Sequence, residues 1–106
     1  MHTDDIVMAG PGGFDLPAVH PGEVLAEELA ARRLSAQALA LAIRVPANRV
    51  TEIVAGRRRI SAETALRLGR YFGTGPQLWM SLQSAHDLAI ARERHGDRID
   101  REVAEA

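Results

Sequence analysis

The sequence predicts an all-α fold of five helices, and three features of its 106 residues support this. Apolar residues recur at i, i+3, i+4 spacing in successive segments, which is the period of an amphipathic helix. Proline, serine and glycine stand where helices would begin and end. No segment of useful length alternates with the period of a strand. The predicted boundaries are 1–19 for a flexible arm, 20–95 for one compact domain and 96–106 for a charged tail.

The arm contains Gly10, Gly12 and Gly13 and has little periodicity, which is typical of a flexible segment. Its apolar residues 6–8, Ile-Val-Met, fit a simple tail. They also fit a short edge strand or a peptide that binds a partner, and these alternatives stay open.

The first three helices are predicted from their caps and apolar stripes. Pro21 opens the first helix because proline has the backbone angle of a first helical turn. Ser35 caps the second helix, Pro46 begins the third, and Gly56 ends it. The inward residues are predicted to be Val24, Leu25 and Leu29, then Leu39, Ala42 and Ile43, then Val50, Ile53 and Val54.

The last two helices are separated by Gly73. Ser61 caps the fourth helix, whose inward face is formed by Ala65, Leu68 and Phe72 with Leu66 beside them. Residues 74–77 have the form of a capping box, which predicts that the fifth helix starts at about residue 75. That helix is predicted to end near Arg94, because Gly96 interrupts it and residues 97–106 are then frayed.

The second and third predicted helices, joined by a tight turn, have the form of a helix-turn-helix. The outer face of the third helix then carries polar side chains suited to base edges, since asparagine pairs with adenine and arginine with guanine. Three arginines follow where phosphates would lie. The predicted DNA-binding residues are Gln37, Ala47, Asn48, Arg49, Thr51, Glu52, Arg57, Arg58 and Arg59. The alternative is a solvated face on which Arg49 pairs with Glu52.

Charge is segregated along the chain, although the net charge is only -1. Residues 44–70 have a local balance of +5, whereas residues 1–20 have -3 and residues 87–106 have -2. Because nucleic acid responds to the local field, a basic middle between acidic ends is compatible with DNA binding.

Other classes of function lack their signatures. The sequence has no cysteine, no HExxH pair and no phosphate-binding glycine loop, so we expect no metal, no cofactor and no enzymatic activity. No apolar run approaches the roughly 20 residues that cross a bilayer, and the first residues lack a signal sequence. The expectation is a cytoplasmic protein with no membrane partner.

The fifth helix, over 75–95, is predicted to form a dimer interface. Leu78, Leu82, Ala85 and Ala89 recur at i, i+4, i+7 and i+11 and make one stripe. Trp79, the only tryptophan, is interpreted as a core residue with an interface role as the alternative. The candidate interface residues are Leu78, Trp79, Leu82, Ala85 and Ala89.

Four segments resemble, in order, the HigA family of bacterial antitoxins. They are HPGEVL at 20–25, VPANRVTEIVAGRRRIS at 45–61, TALRLGRYFGT at 64–74 and QLWMSLQSAHDL at 77–88. The resemblance implies a five-helix, lambda-repressor-like fold and a homodimer that binds its own operator DNA as a repressor. It also implies binding and neutralisation of a small basic toxin of the RelE-like superfamily, which cleaves messenger RNA on the ribosome. The acidic arm and the first helix are equal candidates for the surface that binds the toxin.

Two positions depart from the pattern of that family. Ala36 stands where the family often has glutamine, so a phosphate or base contact is missing or displaced. Arg44 stands where the turn commonly has glycine, and a left-handed backbone there costs a non-glycine residue on the order of 1 kcal/mol. The alternatives to an antitoxin are a stand-alone regulator without a toxin and a protein-interaction module that does not bind DNA.

Overall fold

The computed structural model describes residues 18–106, which form five helices and, within that range, no strand. The helices are α1 (Pro21–Arg32), α2 (Ala36–Ile43), α3 (Ala47–Val54), α4 (Ala62–Phe72) and α5 (Pro76–Glu102). The all-α prediction with five helices is therefore confirmed. The predicted arm, with its apolar residues 6–8, lies outside the described residues except for positions 18 and 19. No helix of the described range is long and apolar enough to cross a membrane.

Most helices begin at the predicted caps. Pro21 is the first residue of α1, and the hydroxyls of Ser35 and Ser61 accept backbone N–H bonds at the starts of α2 and α4. The prediction of a capping box before α5 was wrong, because the N-cap residue is Gly75, at φ 79°, and no side chain forms a capping hydrogen bond there. Thr74 has another role: its hydroxyl accepts a 3.1 Å bond from the indole Nε1 of Trp79.

Helix α5 is longer than predicted. It continues through Gly96 to Glu102, so the predicted end near Arg94 and the frayed segment from residue 97 were wrong. A glycine inside a helix costs only about 1 kcal/mol relative to alanine, which the neighbouring turns can offset. An i, i+4 pair between Arg98 and Glu102, at 3.8 Å, lies beyond the glycine.

The core lies between all five helices and contains most of the predicted inward residues. Its fully buried side chains include Leu25, Leu39, Val50, Ile53, Ile60, Leu68 and Trp79. Two predictions were wrong, because Ala42 is exposed and Leu66 is 60% exposed. Helix α2 is apolar on nearly every face, so its period does not define which face is buried, and Ala40 occupies the core instead of Ala42.

Two close contacts position the third helix and the loop that follows it. Gly22 of α1 lies directly against α3, since a Cβ on Gly22 would stand 1.8 Å from the carbonyl oxygen of Ile53. The buried Gln83 of α5 accepts a 2.7 Å hydrogen bond from the N–H of Ile60 through its Oε1. Because buried N–H groups need a partner, this bond holds the loop between α3 and α4 against α5.

Candidate nucleic-acid interface

Helices α2 and α3 form the helix-turn-helix, and the turn between them is left-handed at Arg44. This residue has φ 62° and ψ 50°. Its N–H bonds to the carbonyl of Leu41 and the N–H of Val45 to that of Ala40, which is the Schellman pattern of helix ends. The guanidinium of Arg67 donates a 3.0 Å bond to the carbonyl of Ile43 and satisfies a further free group. The turn therefore keeps a left-handed backbone at Arg44 although arginine replaces glycine.

The polar face of α3 points out of the domain. Ala47, Asn48 and Thr51 are exposed, whereas Val50 and Ile53 on the opposite face are almost completely buried. This is the orientation that a recognition helix requires, because base edges are reached only by side chains free of the core.

A hydrogen-bonded network occupies the centre of this face. The amide Nδ2 of Asn48 lies 3.3 Å from Glu52 Oε2, and Arg58 Nε lies 2.7 Å from Glu52 Oε1. The Thr51 hydroxyl donates to the carbonyl of Asn48 at 3.0 Å. The carboxylate of Glu52 is thus held between an amide and a guanidinium on the exposed side of α3.

Arg49 lies apart from this network. Its side chain is half-buried, and Nη1 is 3.5 Å from the hydroxyl of Thr64 in the first turn of α4. The alternative pairing of Arg49 with Glu52 is absent from residues 18–106, where Arg58 takes the carboxylate instead.

The three consecutive arginines point in different directions. Arg58 pairs with Glu52, and Arg59 Nη2 lies 2.9 Å from Asp87 Oδ2 on α5. Arg57 is exposed and forms no ion pair with any residue from 18 onward. Gln37 is exposed in the first turn of α2. Only Arg57 of the three is therefore unpaired within the described range.

Two of the predicted dimer residues belong to the core. Trp79 is 0% exposed and Leu82 is 2% exposed, so neither has surface to offer a second chain, and their interface assignment was wrong. The core interpretation of Trp79 is confirmed. Leu78 is 37% exposed, and Ala85 and Ala89 are half-buried on α5.

A contact between two histidines was not predicted from the sequence. His20 Nδ1 accepts a 2.9 Å bond from the N–H of Gly22 and so caps α1, and its ring packs edge-on against His86 at 5.0 Å. Burial and the charge of His86 lower the pKa of His20, while Glu23 and Asp87 oppose the shift. No group of three His, Asp or Glu side chains in the described part of the chain could hold a metal ion.

Comparisons with known proteins place this geometry among helix-turn-helix proteins. Residues 25–79 match the Helix-turn-helix family. The chain is 51% identical over 83 residues to virulence-associated protein I of Dichelobacter nodosus, an alignment that covers 77% of each protein.

Solved structures of antitoxins share the fold. An addiction module antidote protein of a HigA family from Coxiella burnetii has a TM-score of 0.81 and 46% identity, covering 86% of this chain and all of that one. Pseudomonas aeruginosa antitoxin HigA with higBA promoter has a TM-score of 0.79 and 46% identity, covering 83% of this chain and 97% of that one.

Proposed function

The chain belongs to the HigA family of helix-turn-helix antitoxins, and from that premise we propose that it binds operator DNA through α3 as a repressor dimer. We propose further that it binds and neutralises a small basic toxin of the RelE-like superfamily. Both activities belong in the cytoplasm, where DNA and ribosomes are, and neither needs a cofactor or a catalytic residue.

The observation that carries the proposal is the exposed polar face of α3 in a basic part of the chain. Asn48 and Thr51 are free of the core, and residues 44–70 have a balance of +5. A helix presented in this way fits the major groove, while the surrounding arginines attract phosphates. The resemblance to an antitoxin solved with promoter DNA supports the same assignment.

Each side chain of the α3 face has a proposed role. Asn48 reads adenine through its amide, the methyl group of Thr51 contacts a thymine methyl, and Glu52 accepts from the N4 amino group of cytosine. Arg58 positions Glu52 and neutralises its charge. Arg57 and Gln37 contact phosphates, and Ala47 lets the start of α3 approach the DNA closely.

Arg49 is proposed to orient α3, whereas the sequence pattern predicted that it contacts a base directly. Its half-buried guanidinium is directed at Thr64, so it joins α3 to the first turn of α4. Arg59 likewise joins the loop to α5 through Asp87. These two arginines would orient the recognition helix, and any contact with DNA requires them to leave their present partners.

The homodimer is proposed to form along α5, beyond the part that packs into the core. The stripe that begins at Leu78 continues through Ala85 and Ala89 to Gly96 and Ile99, at steps of three, four or seven residues, with charged residues at 92 and 93. Ile99 is 46% exposed although it is a large apolar residue. Such a stripe on a helix that extends past the core is suited to packing against a second copy, which would align two recognition helices about one DNA turn, roughly 34 Å, apart.

The proposal is tested by a gel shift with the DNA upstream of the gene. Asn48→Ala is expected to lower operator affinity by about 1–3 kcal/mol with little effect on unrelated DNA. Arg57→Ala is expected to weaken binding to all sequences and to reduce the slope of log affinity against log salt by about 0.9, since one phosphate contact is lost. Arg94→Ala is the matched control, because it removes the same charge from an exposed site on α5.

Two outcomes would contradict the proposal. If Asn48→Ala and Arg94→Ala bind the operator equally well, α3 is not the reading element. If the wild-type chain binds operator and unrelated DNA alike, the chain is not a sequence-specific repressor.

Toxin binding is tested separately by co-purification with the product of the adjoining gene, comparing the full chain with one that starts at residue 20. Failure of the shorter chain to bind would assign the toxin surface to the arm instead of α1.

A further inference from the structure

An open groove of about 330 Å³ lies between α2 and α4, and none of its lining residues is among those assigned a direct DNA contact above. It is lined by Ala42, Arg44, Leu66, Arg67, Arg70 and Tyr71. Leu66 is 60% exposed and Tyr71 is 43% exposed, and the neighbouring Leu41 is 80% exposed. Apolar side chains collected at one concave site are typical of a surface that another segment covers.

Two residues of this groove are those that the helical period placed inward. Ala42 and Leu66 both follow the apolar pattern of their helices, yet no part of residues 18–106 covers them. The lining is basic, because Arg44 and Arg70 form no ion pair within that range, whereas Arg67 is paired with Glu63. The groove therefore fits an apolar segment that carries acidic residues at one end.

We propose that residues 4–8 of the same chain, Asp-Asp-Ile-Val-Met, bind in this groove. Asp4 and Asp5 would face Arg44 and Arg70, and residues 6–8 would lie on Leu66 and Tyr71. Residues 9–17 connect the segment to Ala18, and a chain of that length spans up to about 30 Å when extended. This length is comparable with the shorter dimensions of the molecule, 35 and 20 Å.

Other occupants fit less well. A basic partner would meet the unpaired Arg44 and Arg70, and like charges brought together across an interface are unfavourable. A second copy packed through the same groove would oppose arginine with arginine. None of the residues that line the groove is assigned a direct DNA contact, so the proposal does not rest on DNA or toxin binding.

The test uses engineered cysteines, because the natural sequence has none. Val7→Cys is combined with Leu66→Cys in the full chain, and the rate of disulfide formation is measured in dilute protein with a mild oxidant. The control combines Val7→Cys with Leu88→Cys, which is 53% exposed on α5. Position 88 is close to His86, whose Nδ1 lies 3.5 Å from the carbonyl of Ala18. In the absence of binding in the groove, the short connection from residue 7 to Ala18 would therefore favour the disulfide of the control.

If residues 4–8 bind in the groove, the cysteines at 7 and 66 are expected to form a disulfide within one chain at least about tenfold faster than the cysteines at 7 and 88. Adding Asp4→Arg and Asp5→Arg to the first pair is expected to slow it to the rate of the control. Equal rates for the two pairs, or disulfides that join only separate chains, would overturn the proposal.

A second readout is nitration of Tyr71, the only tyrosine, which should be severalfold faster in the Asp4→Arg, Asp5→Arg chain than in the natural one. Unchanged nitration would count against docking even if the cysteine variants fail to fold.

Discussion

Arg58 and Glu52 form an ion pair of 2.7 Å on the side of α3 that faces away from the core. Glu52 also lies within hydrogen-bonding distance of Asn48, one helical turn earlier. The only carboxylate on this face is thus neutralised and oriented in the absence of DNA. Phosphates repel an unpaired carboxylate, so the pair has a consequence for DNA binding as well as for the free protein.

Arg58→Ala is expected to weaken operator binding, and to do so mainly through Glu52. When Glu52 is replaced by glutamine, the same Arg58→Ala change should have a smaller effect, because no carboxylate then needs neutralising. The coupling from the double-mutant cycle is expected at about 0.5–3 kcal/mol, as for residues in direct contact. It is measured from operator affinities of the four proteins at one salt concentration.

The same pair should contribute little to folding. Both side chains are partly exposed, and pairs of this kind typically stabilise a protein by about 0.2–1 kcal/mol. Additive effects of the two substitutions on operator affinity would show that Arg58 contacts DNA directly instead of serving Glu52.

Arg44→Gly is expected to stabilise the protein by about 1 kcal/mol, because glycine adopts the left-handed backbone without the steric cost that arginine incurs. The variant is compared with the natural chain by urea denaturation followed by circular dichroism. Ala31→Gly, at an exposed site in the last turn of α1, is the control and should destabilise by up to about 1 kcal/mol. A loss of stability in Arg44→Gly would show that the arginine side chain holds the turn through contacts.

The helices were predictable from the sequence because their signals are local. Pro21, Ser35 and Ser61 act on the backbone of their own helix, and no distant residue can change what they cap. The prediction of the buried face was wrong where two faces of a helix are equally apolar. Helix α2 is apolar on both faces, and which face is buried depends on how α4 packs against it. The extension of α5 past Gly96 also depends on the turns around it more than on the glycine.

The candidate site was predictable as a face but not as a set of contacts. The period of α3 correctly placed Asn48 and Thr51 outside. It did not reveal that Arg49 turns to Thr64 or that Arg59 reaches Asp87, since those partners are distant in the sequence and meet only in the folded chain. The contact of His20 with His86 has the same origin, although a polar residue before Pro21 was a local sign of a helix cap.

Trp79→Ala is expected to destabilise the folded protein by about 3–5 kcal/mol, because it empties a fully buried site in the core. Trp79→Phe should cost less, since the ring volume is largely kept while the hydrogen bond to Thr74 is lost. Leu88→Ala, at a 53% exposed site on α5 outside the proposed dimer stripe, is the control and should change stability by no more than about 0.5 kcal/mol. Unfolding is followed by circular dichroism at matched protein concentration, because the tryptophan signal is lost in the variants. A Trp79→Ala protein as stable as the natural chain would contradict the core assignment of Trp79.

Acid is expected to destabilise the protein through His20. Its pKa in the folded protein lies below the ordinary value of 6.5, chiefly because of burial and also because of the charge of His86. The unfolded chain therefore binds a proton at His20 more readily than the folded chain does. The stability that neutral His20 contributes is complete above pH 6.5 and is lost as the pH falls through the lower folded pKa. The structural reason is direct, because Nδ1 must be unprotonated to accept the N–H of Gly22.

His20→Asn separates the cap from the titration. Asparagine is among the strongest helix N-caps, so this variant should be about as stable as the natural chain near pH 7.5 and should lose less stability between pH 7.5 and pH 5. His20→Ala should lose the cap at every pH, at a cost of about 0.5–2 kcal/mol. His95→Asn, which changes an exposed histidine of α5, is the control and should keep the natural pH dependence. The measurement is the free energy of unfolding at several pH values, and a pH dependence that is the same in His20→Asn as in the natural chain would exclude His20 as its source.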